Sequence, residues 1–567
     1  MRRSTAWAIA IFLFAVFGVT FLLPLGSVIS GGFFVGGEFT LKYLLGVFQN
    51  PVYAEGLLNS VKIALGTTTL VVLIAVPLAW VGNRFEFVGK KLFSGLVLVP
   101  MVLPPFVGAI GFQQIFGVYG AFNSWTGLTV DWLGQGRYFG VIVLQALALY
   151  PIMYLNVAAA LANIDPAMEE AAENLGCGRW RKFRKITLPL MMPGLFAGGT
   201  IVFIWSFTEL GTPLIMNYTR CASVQVFDAL KEIGTNPFPY ALVVVMLVAS
   251  CGLYALSKWA LGGRGYAMQS KAATASGVET VRGWRSVIVA MPFVIVTGIA
   301  LLPHCGVILT SFSEPGSWYQ SVLPQAFTME HYQEALSHGI TVTSIRNSLL
   351  YSSLAVGLNI VLGVTIAFVV VRSDLPVRGA LDALAMLPLA VPGLVMAFGY
   401  LAISSYLGNQ DWVKESPVWR ELLDVRTNPT LFLVIAYAVR RLPYMVRSAV
   451  AGLQQTSVTL EEAAANLGAT PFRTLRVITL PLIMANLIAG VLLAFSFSML
   501  EVSDSLMLAQ RADFFPITKT IYELFQLIGT GKYVAAALGV WAMSFLAVTI
   551  IGASLILGKK MGQLFRV

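Results

Sequence analysis

The chain runs to 567 residues, of which 57% are hydrophobic and only 11% charged, with a net charge of +10. Soluble domains carry about 25% charge, so this composition cannot clothe several domains in polar surface, and the solvent it implies is lipid. The basic residues stand in short clusters between apolar runs, a pattern of loops facing a cytoplasm rather than of a nucleic-acid groove.

A helix needs about 20 apolar residues to cross a bilayer core. After Met1-Arg2-Arg3, an apolar run extends from Trp7 to about Ser30. This is longer than the roughly 7–15 residues of a signal-peptide core, so it is expected to be a retained first span with its N-terminus inside. Further apolar stretches lie near 57–82, 92–117, 138–162, 192–216 and 239–260. Six more follow near 286–310, 347–371, 380–405, 430–453, 484–508 and 534–557. The runs are long and continuous, which favours helices over an alternating barrel pattern. The expected fold is therefore an all-α polytopic membrane protein of twelve transmembrane helices.

Orientation follows charge. Loops on one side carry Arg84, Lys90 and Lys91, then Arg179 to Lys185, then Arg372 and Arg378, then Arg473 and Arg476, and the tail has Lys559 and Lys560. The opposite loops 31–56 and 118–136 are nearly free of Lys and Arg. The bias places both termini in the cytoplasm.

The chain also repeats itself. Residues 169–190 read EEAAENLGCGRWRKFRKITLPL and residues 461–482 read EEAAANLGATPFRTLRVITLPL, an offset of 462 − 170 = 292. Asn59-Ser60 recurs as Asn347-Ser348, Pro100 and Pro104 as Pro388 and Pro392, and Pro151 as Pro443. Six spans per half make the halves parallel repeats about an axis along the membrane normal. The division is residues 1–261, a polar Gly/Ala/Ser-rich linker at 262–284, and residues 285–567.

Each repeated loop, 163–190 and 455–482, holds Glu-Ala-Ala, a Gly four residues on, and Ile-x-Leu-Pro. The first copy has Glu170, Ala171, Ala172 and Gly176; the second has Glu462, Ala463, Ala464 and Gly468. Glu and Ala favour a short helix over 166–175, with Asp165 as N-cap, Pro166 in its first turn and Gly176 ending it left-handed. Pro189 would mark the junction with the next span. Both copies resemble in full the EAA loop of ABC importer permeases, and the fused double-EAA form looks most like the ferric-iron group. The resemblance covers essentially the whole chain. It implies a subunit of the bacterial inner membrane, with membrane lipid around it, two copies of an ABC ATPase gripping the EAA helices, and a periplasmic binding protein delivering substrate. It implies no nucleic-acid partner. Glu170 and Glu462 would fix the helices by charge or backbone contacts.

No GxxxxGK[ST] pattern occurs; Gly529-Thr530-Gly531-Lys532-Tyr533 is the nearest fragment. ATP and Mg are therefore expected on the partner ATPase, with no cofactor on this chain and no catalytic residues. Cys177, Cys221, Cys251 and Cys305 form no CxxC pair, so no metal site is expected. His331 and His338 fall in a polar loop, where solvated side chains are expected.

Charges inside spans are costly and usually line cavities. Glu209 and Glu501 are related by the 292 offset, and Asp504 follows one turn after Glu501. They would face a shared path and favour a cation, or bond to nearby Ser or backbone at a helix break. Arg440 and Arg441 sit midway along the tenth span, where the first half has Ala148 and Leu149. They would contact an anion, pair with Glu501, or serve a structural or gating role. Pro100, Pro104, Pro105 and Gly108, with Pro388, Pro392 and Gly393, would break the third span of each half as hinges or fixed kinks. Ferric iron is the expected substrate. The alternatives are 2-aminoethylphosphonate, a sugar phosphate, thiamine or a polyamine, or an ion-coupled secondary transporter without an ATPase.

Overall fold

The computed structural model describes residues 3–102, 104–262 and 279–557. Most of the expected linker, and the tail with Lys559 and Lys560, lie outside the described residues. Among these residues, nine helices are long and apolar enough to cross a membrane: Arg3–Phe33, Pro51–Arg84, Tyr138–Ala162, Arg179–Thr208, Phe238–Ser257, Trp284–Phe312, Gly339–Arg372, Pro471–Met499 and Gly531–Gly552. Two helix pairs, Lys90–Met101 with Pro105–Thr126 and Arg378–Leu389 with Gly393–Gly408, are bent by 96° and 97°. They occupy the third position of each half. The helix Thr430–Gln455 fills the remaining expected position; Arg440, Arg441 and Arg447 make it too polar to qualify on hydropathy alone.

The bends follow from proline chemistry. Pro104 and Pro392 lack an N–H, and each stands in an extended conformation before the second limb of its pair. Elsewhere proline is absorbed without a break. Pro189 and Pro481 do not mark junctions, because the helices run on from Arg179 to Thr208 and from Pro471 to Met499. A widened π turn precedes each proline, Phe183–Thr187 and Leu475–Thr479, and makes room for its ring. The fifth span of each half therefore begins some dozen residues earlier than its apolar run. It ends at Thr208 and Met499, short of the expected limits.

The first helix of each half packs against the other half. Arg3–Phe33 lies along Gly393–Gly408. Pro24 gives no N–H to its own turn, and the Tyr400 hydroxyl donates to the Thr20 carbonyl at 2.7 Å. Ser27 reaches the Gly399 carbonyl at 3.3 Å. In the mirrored contact, Trp284–Phe312 lies along Pro105–Phe116, where Gly111 and Gly306 touch backbone to backbone. The start of the second half is also fastened to the loop after Pro51–Arg84 by a short parallel pairing, Phe85 with Glu279 and Glu86 with Thr280.

His331 departs from expectation. The loop after Trp284–Phe312 folds over the helix starting at Gly531, so His331 is buried, stacked on Tyr533 at 5.2 Å and bonded to the Ser313 carbonyl at 3.1 Å. His338 instead caps the helix that begins at Gly339.

A side chain at Gly306 has no space, since its Cβ would lie 2.7 Å from the Gly111 carbonyl oxygen. Gly306→Leu should therefore cost about 1–3 kcal/mol or more through overpacking. The check is the thermal midpoint of detergent-purified protein, with exposed Gly298→Leu as control.

Candidate functional site

Two regions carry functional geometry. The first is the pair of EAA helices. Pro166–Asn174 is capped by Asp165, whose carboxylate accepts from the Ala167 N–H at 2.9 Å. Val458–Asn466 is capped by Ser457. Gly176 and Gly468 follow in the left-handed conformation, φ +76° and +81°.

Each helix is held to the membrane spans by an acid that sequence reasoning passed over. Glu169 is buried, ion-paired with Arg84 at the end of Pro51–Arg84, and accepts from the Thr187 hydroxyl at 2.7 Å. Glu461 does the same in the second half, 3.2 Å from Arg372 and 3.4 Å from Thr479. Arg372 also donates to the Leu453 and Thr456 carbonyls at 3.1 and 2.9 Å. Glu170 and Glu462, expected to fix the helices, are exposed instead. One helical step separates the two acids, and only Glu169 shares the inward face with buried Ala172, three residues on. Ala171 and Ala463 are exposed with their glutamates, whereas Ala464 is buried like Ala172. The signal was present: both copies begin with a Glu-Glu doublet.

The outward faces carry matched apolar side chains. Leu175 and Leu467 are 88% and 89% exposed, and Trp180 and Phe472 are 73% and 71% exposed. Met168 and Leu460 complete the pairs, and all three obey the 292 offset. Exposed apolar groups repeated in register mark a contact surface.

The second region is a cavity of about 640 Å³ between the halves. Glu209 and Glu501 both line it, as do Arg440, Arg441 and their counterparts Ala148 and Leu149. Pro100, Pro104 and Pro105 line it from one half, and Pro388, Pro392 and Gly393 from the other. Its wall reaches Ala159, Ser448 and Ala489, toward the EAA ends of their helices.

The two acids sit where the fifth helix of each half stops, but they are held differently. Glu209 accepts from the Thr212 N–H at 3.2 Å and the Thr212 hydroxyl at 3.4 Å. This is the backbone contact at a helix break. Glu501 is clamped by two cations: Arg440 at 2.5 Å, and Arg441 on the other oxygen. Arg441 is held in turn by the Phe497 carbonyl at 3.1 Å and lies over the Phe497 ring. Asp504 is fully buried 3.6 Å from Arg440, and neither of its oxygens has a hydrogen-bond partner. Gly393 makes the arrangement possible, since a Cβ there would land on the Arg440 guanidinium. Two cations thus face three carboxylates, with the cations all on one side of the pseudo-symmetric cavity.

Backbone groups freed by these breaks are satisfied by hydroxyls. Ser223 donates to the Glu209 carbonyl at 2.7 Å. Ser505 and Thr518 donate to the Glu501 carbonyl at 2.5 and 2.6 Å.

A duplicated helical bundle, broken around a central charged cavity and presenting paired helices at one face, defines a polytopic membrane transport subunit. The family described as binding-protein-dependent transport system inner membrane component matches twice, over residues 71–259 and 359–555. The chain belongs to this family. A ferric transport system permease of Haemophilus influenzae is 26% identical over 481 residues, 82% of this chain and 70% of that protein. One of Actinobacillus pleuropneumoniae is 26% identical over 478 residues, 81% of this chain and 64% of that protein. A sulfate transport system permease of Escherichia coli is 31% identical over 183 residues, 30% of this chain and 64% of that protein.

Removing the Glu501 charge leaves Arg441, 9% exposed, without its counter-ion. Glu501→Gln should destabilise the protein by about 3–5 kcal/mol, and adding Arg441→Met should recover much of the loss. Thermal unfolding of the single and double variants tests this.

Proposed function

We propose that this chain is the permease of an ATP-driven importer of ferric iron. Similarity to two ferric permeases over about four-fifths of the chain carries the reading. The cavity chemistry supports it: a hard cation takes oxygen ligands, and Glu209 and Glu501 supply carboxylates in the cavity between the halves, with Asp504 behind Arg440. Arg440 and Arg441 hold Glu501 while no cation is present, and an arriving cation competes with them for it. A second reading has a specific observation behind it. The Arg440 guanidinium lines the cavity and could take an oxyanion such as an organophosphonate or a sugar phosphate.

In this reading both termini are cytoplasmic, and a periplasmic binding protein presents substrate at the opposite face. Two copies of a separate ATPase subunit, holding ATP and Mg, dock on the EAA helices through Leu175 with Trp180 and Leu467 with Phe472. Exposed Glu170 and Glu462 lie on the same faces, with Ala171 and Ala463 beside them. Closure of the ATPase pulls on the helices, and the Glu169–Arg84 and Glu461–Arg372 links carry that pull into the second span of each half.

Uptake of labelled ferric iron, an organophosphonate and a sugar phosphate, compared in cells with and without the chain, tests the substrate. Loss of iron uptake alone is expected; loss of a phosphorus compound alone transfers the assignment to the oxyanion. Docking and coupling separate in a second experiment on the purified complex. Leu175→Glu with Leu467→Glu should abolish ATPase co-purification. Glu169→Gln with Glu461→Gln should retain the ATPase yet reduce transport per ATP hydrolysed by about tenfold. Glu170→Ala with Glu462→Ala should also uncouple; normal uptake in that variant would remove those residues from the coupling path.

A further inference from the structure

Beyond its break, the fifth segment of each half turns back through a short helix on the side away from the EAA loops: Ala222–Asp228 in the first half and Ile517–Gln526 in the second. A shared hydrogen bond fixes their register. The Ser60 hydroxyl accepts from the Ala222 N–H at 2.9 Å, and its repeat-mate Ser348 accepts from the Ile517 N–H at 2.8 Å. Ala222 therefore corresponds to Ile517, and Phe227, five residues on, corresponds to Tyr522.

These two corresponding residues touch, ring centroids 5.9 Å apart and edge to face at 89°. A residue can meet its own repeat-mate only near the axis that relates the halves, which is also the axis of the cavity. The Lys519 ammonium lies beside the pair, 5.7 Å from the Phe227 ring, 5.6 Å from Tyr522 and 5.5 Å from Phe515. Glu523 holds it at 2.8 Å. Lys519 is 8% exposed, and the first half has Val224 in its place. A desolvated cation over an aromatic face is attracted far more strongly than an exposed one. Of the three rings, only Phe227 belongs to the first half.

We propose that Phe227 and Tyr522 close the outer end of the pathway on the pseudo-twofold axis, and that Lys519 latches the closure by gripping Phe227 across the boundary between halves. Parting the halves strips Lys519 of one ring while it keeps Phe515, Tyr522 and Glu523. The latch therefore opposes outward opening without fixing it. This inference rests on the transport reading for its purpose, but its test uses neither substrate nor ATP.

The full chain, with its four native cysteines replaced and Ala148→Cys placed in the cavity wall, is labelled in intact cells with a membrane-impermeant maleimide added outside. The parent should be protected. Phe227→Ala and Lys519→Leu should each label about tenfold faster, and Lys519→Arg should stay protected. Separately, Phe227→Cys with Tyr522→Cys, without the cavity cysteine, should be bridged by a short bis-maleimide, which spans the space the two rings fill. Equal labelling of parent, Phe227→Ala and Lys519→Leu, at equal amounts in the membrane, overturns the proposal. If Phe227→Ala fails to reach the membrane, absence of the 227–522 cross-link overturns it alone. Failed iron uptake with these results intact would count against the substrate, not the gate.

Discussion

A hydrocarbon core offers no hydrogen-bond partners, so every backbone group released from a helix must find one inside the protein. That constraint decides where this chain breaks. The third and fifth spans of both halves are interrupted, and the breaks converge on one cavity lined from both sides. Nearby hydroxyls accept the task of satisfying the freed groups: Ser223, Ser505 and Thr518 at the fifth-span breaks, and Tyr400 at the Pro24 turn. Where no cavity is built, as at Pro189 and Pro481, a π turn lets the helix pass. The full breaks thus gather around the cavity, and elsewhere the helices run on.

Duplication supplied the frame, and divergence supplied the chemistry. The EAA helices remain near-copies, down to the arginine-paired acid and the exposed leucine. The pathway does not. Arg440 and Arg441 stand where the first half has Ala148 and Leu149, and Lys519 stands where it has Val224. All three added cations lie in the second half, and each is held by a carboxylate of that same half, Glu501 or Glu523. Divergence is thus confined to the cavity and the axis, while the two EAA helices keep their symmetry.

Much of this was legible in the sequence, because lipid makes apolar length a direct readout of spans. The repeat, the third-span breaks and the Asp165 and Gly176 ends of the first EAA helix could be anticipated, and pairing with Glu501 was one of the roles open to Arg440 and Arg441. The start of the fifth spans could not, since Pro189 and Pro481 read as junctions after a short helical stretch, and only the π turn before each shows that stretch to be continuous with the span. Glu169 was passed over for Glu170 because adjacent residues look interchangeable in a string and differ by about 100° on a helix. Asp504 read as a second path-lining acid, yet it lies behind Arg440. The Phe227–Tyr522 contact escaped because its register follows from hydrogen bonds to Ser60 and Ser348, not from the 292 spacing.

The crossed first helices bear on how such a chain is made. Pro24 packs against Gly399, a residue that the ribosome adds 375 positions later. At roughly 5–20 residues per second, the first helix waits about 20–75 s in the bilayer before its seat exists. Throughout that interval its Thr20 carbonyl has no tyrosine to meet it. Assembly of the first half is thus completed only by the second, and joining both in one polypeptide ensures that the helix that arrives early and the groove that arrives late are never separated by diffusion.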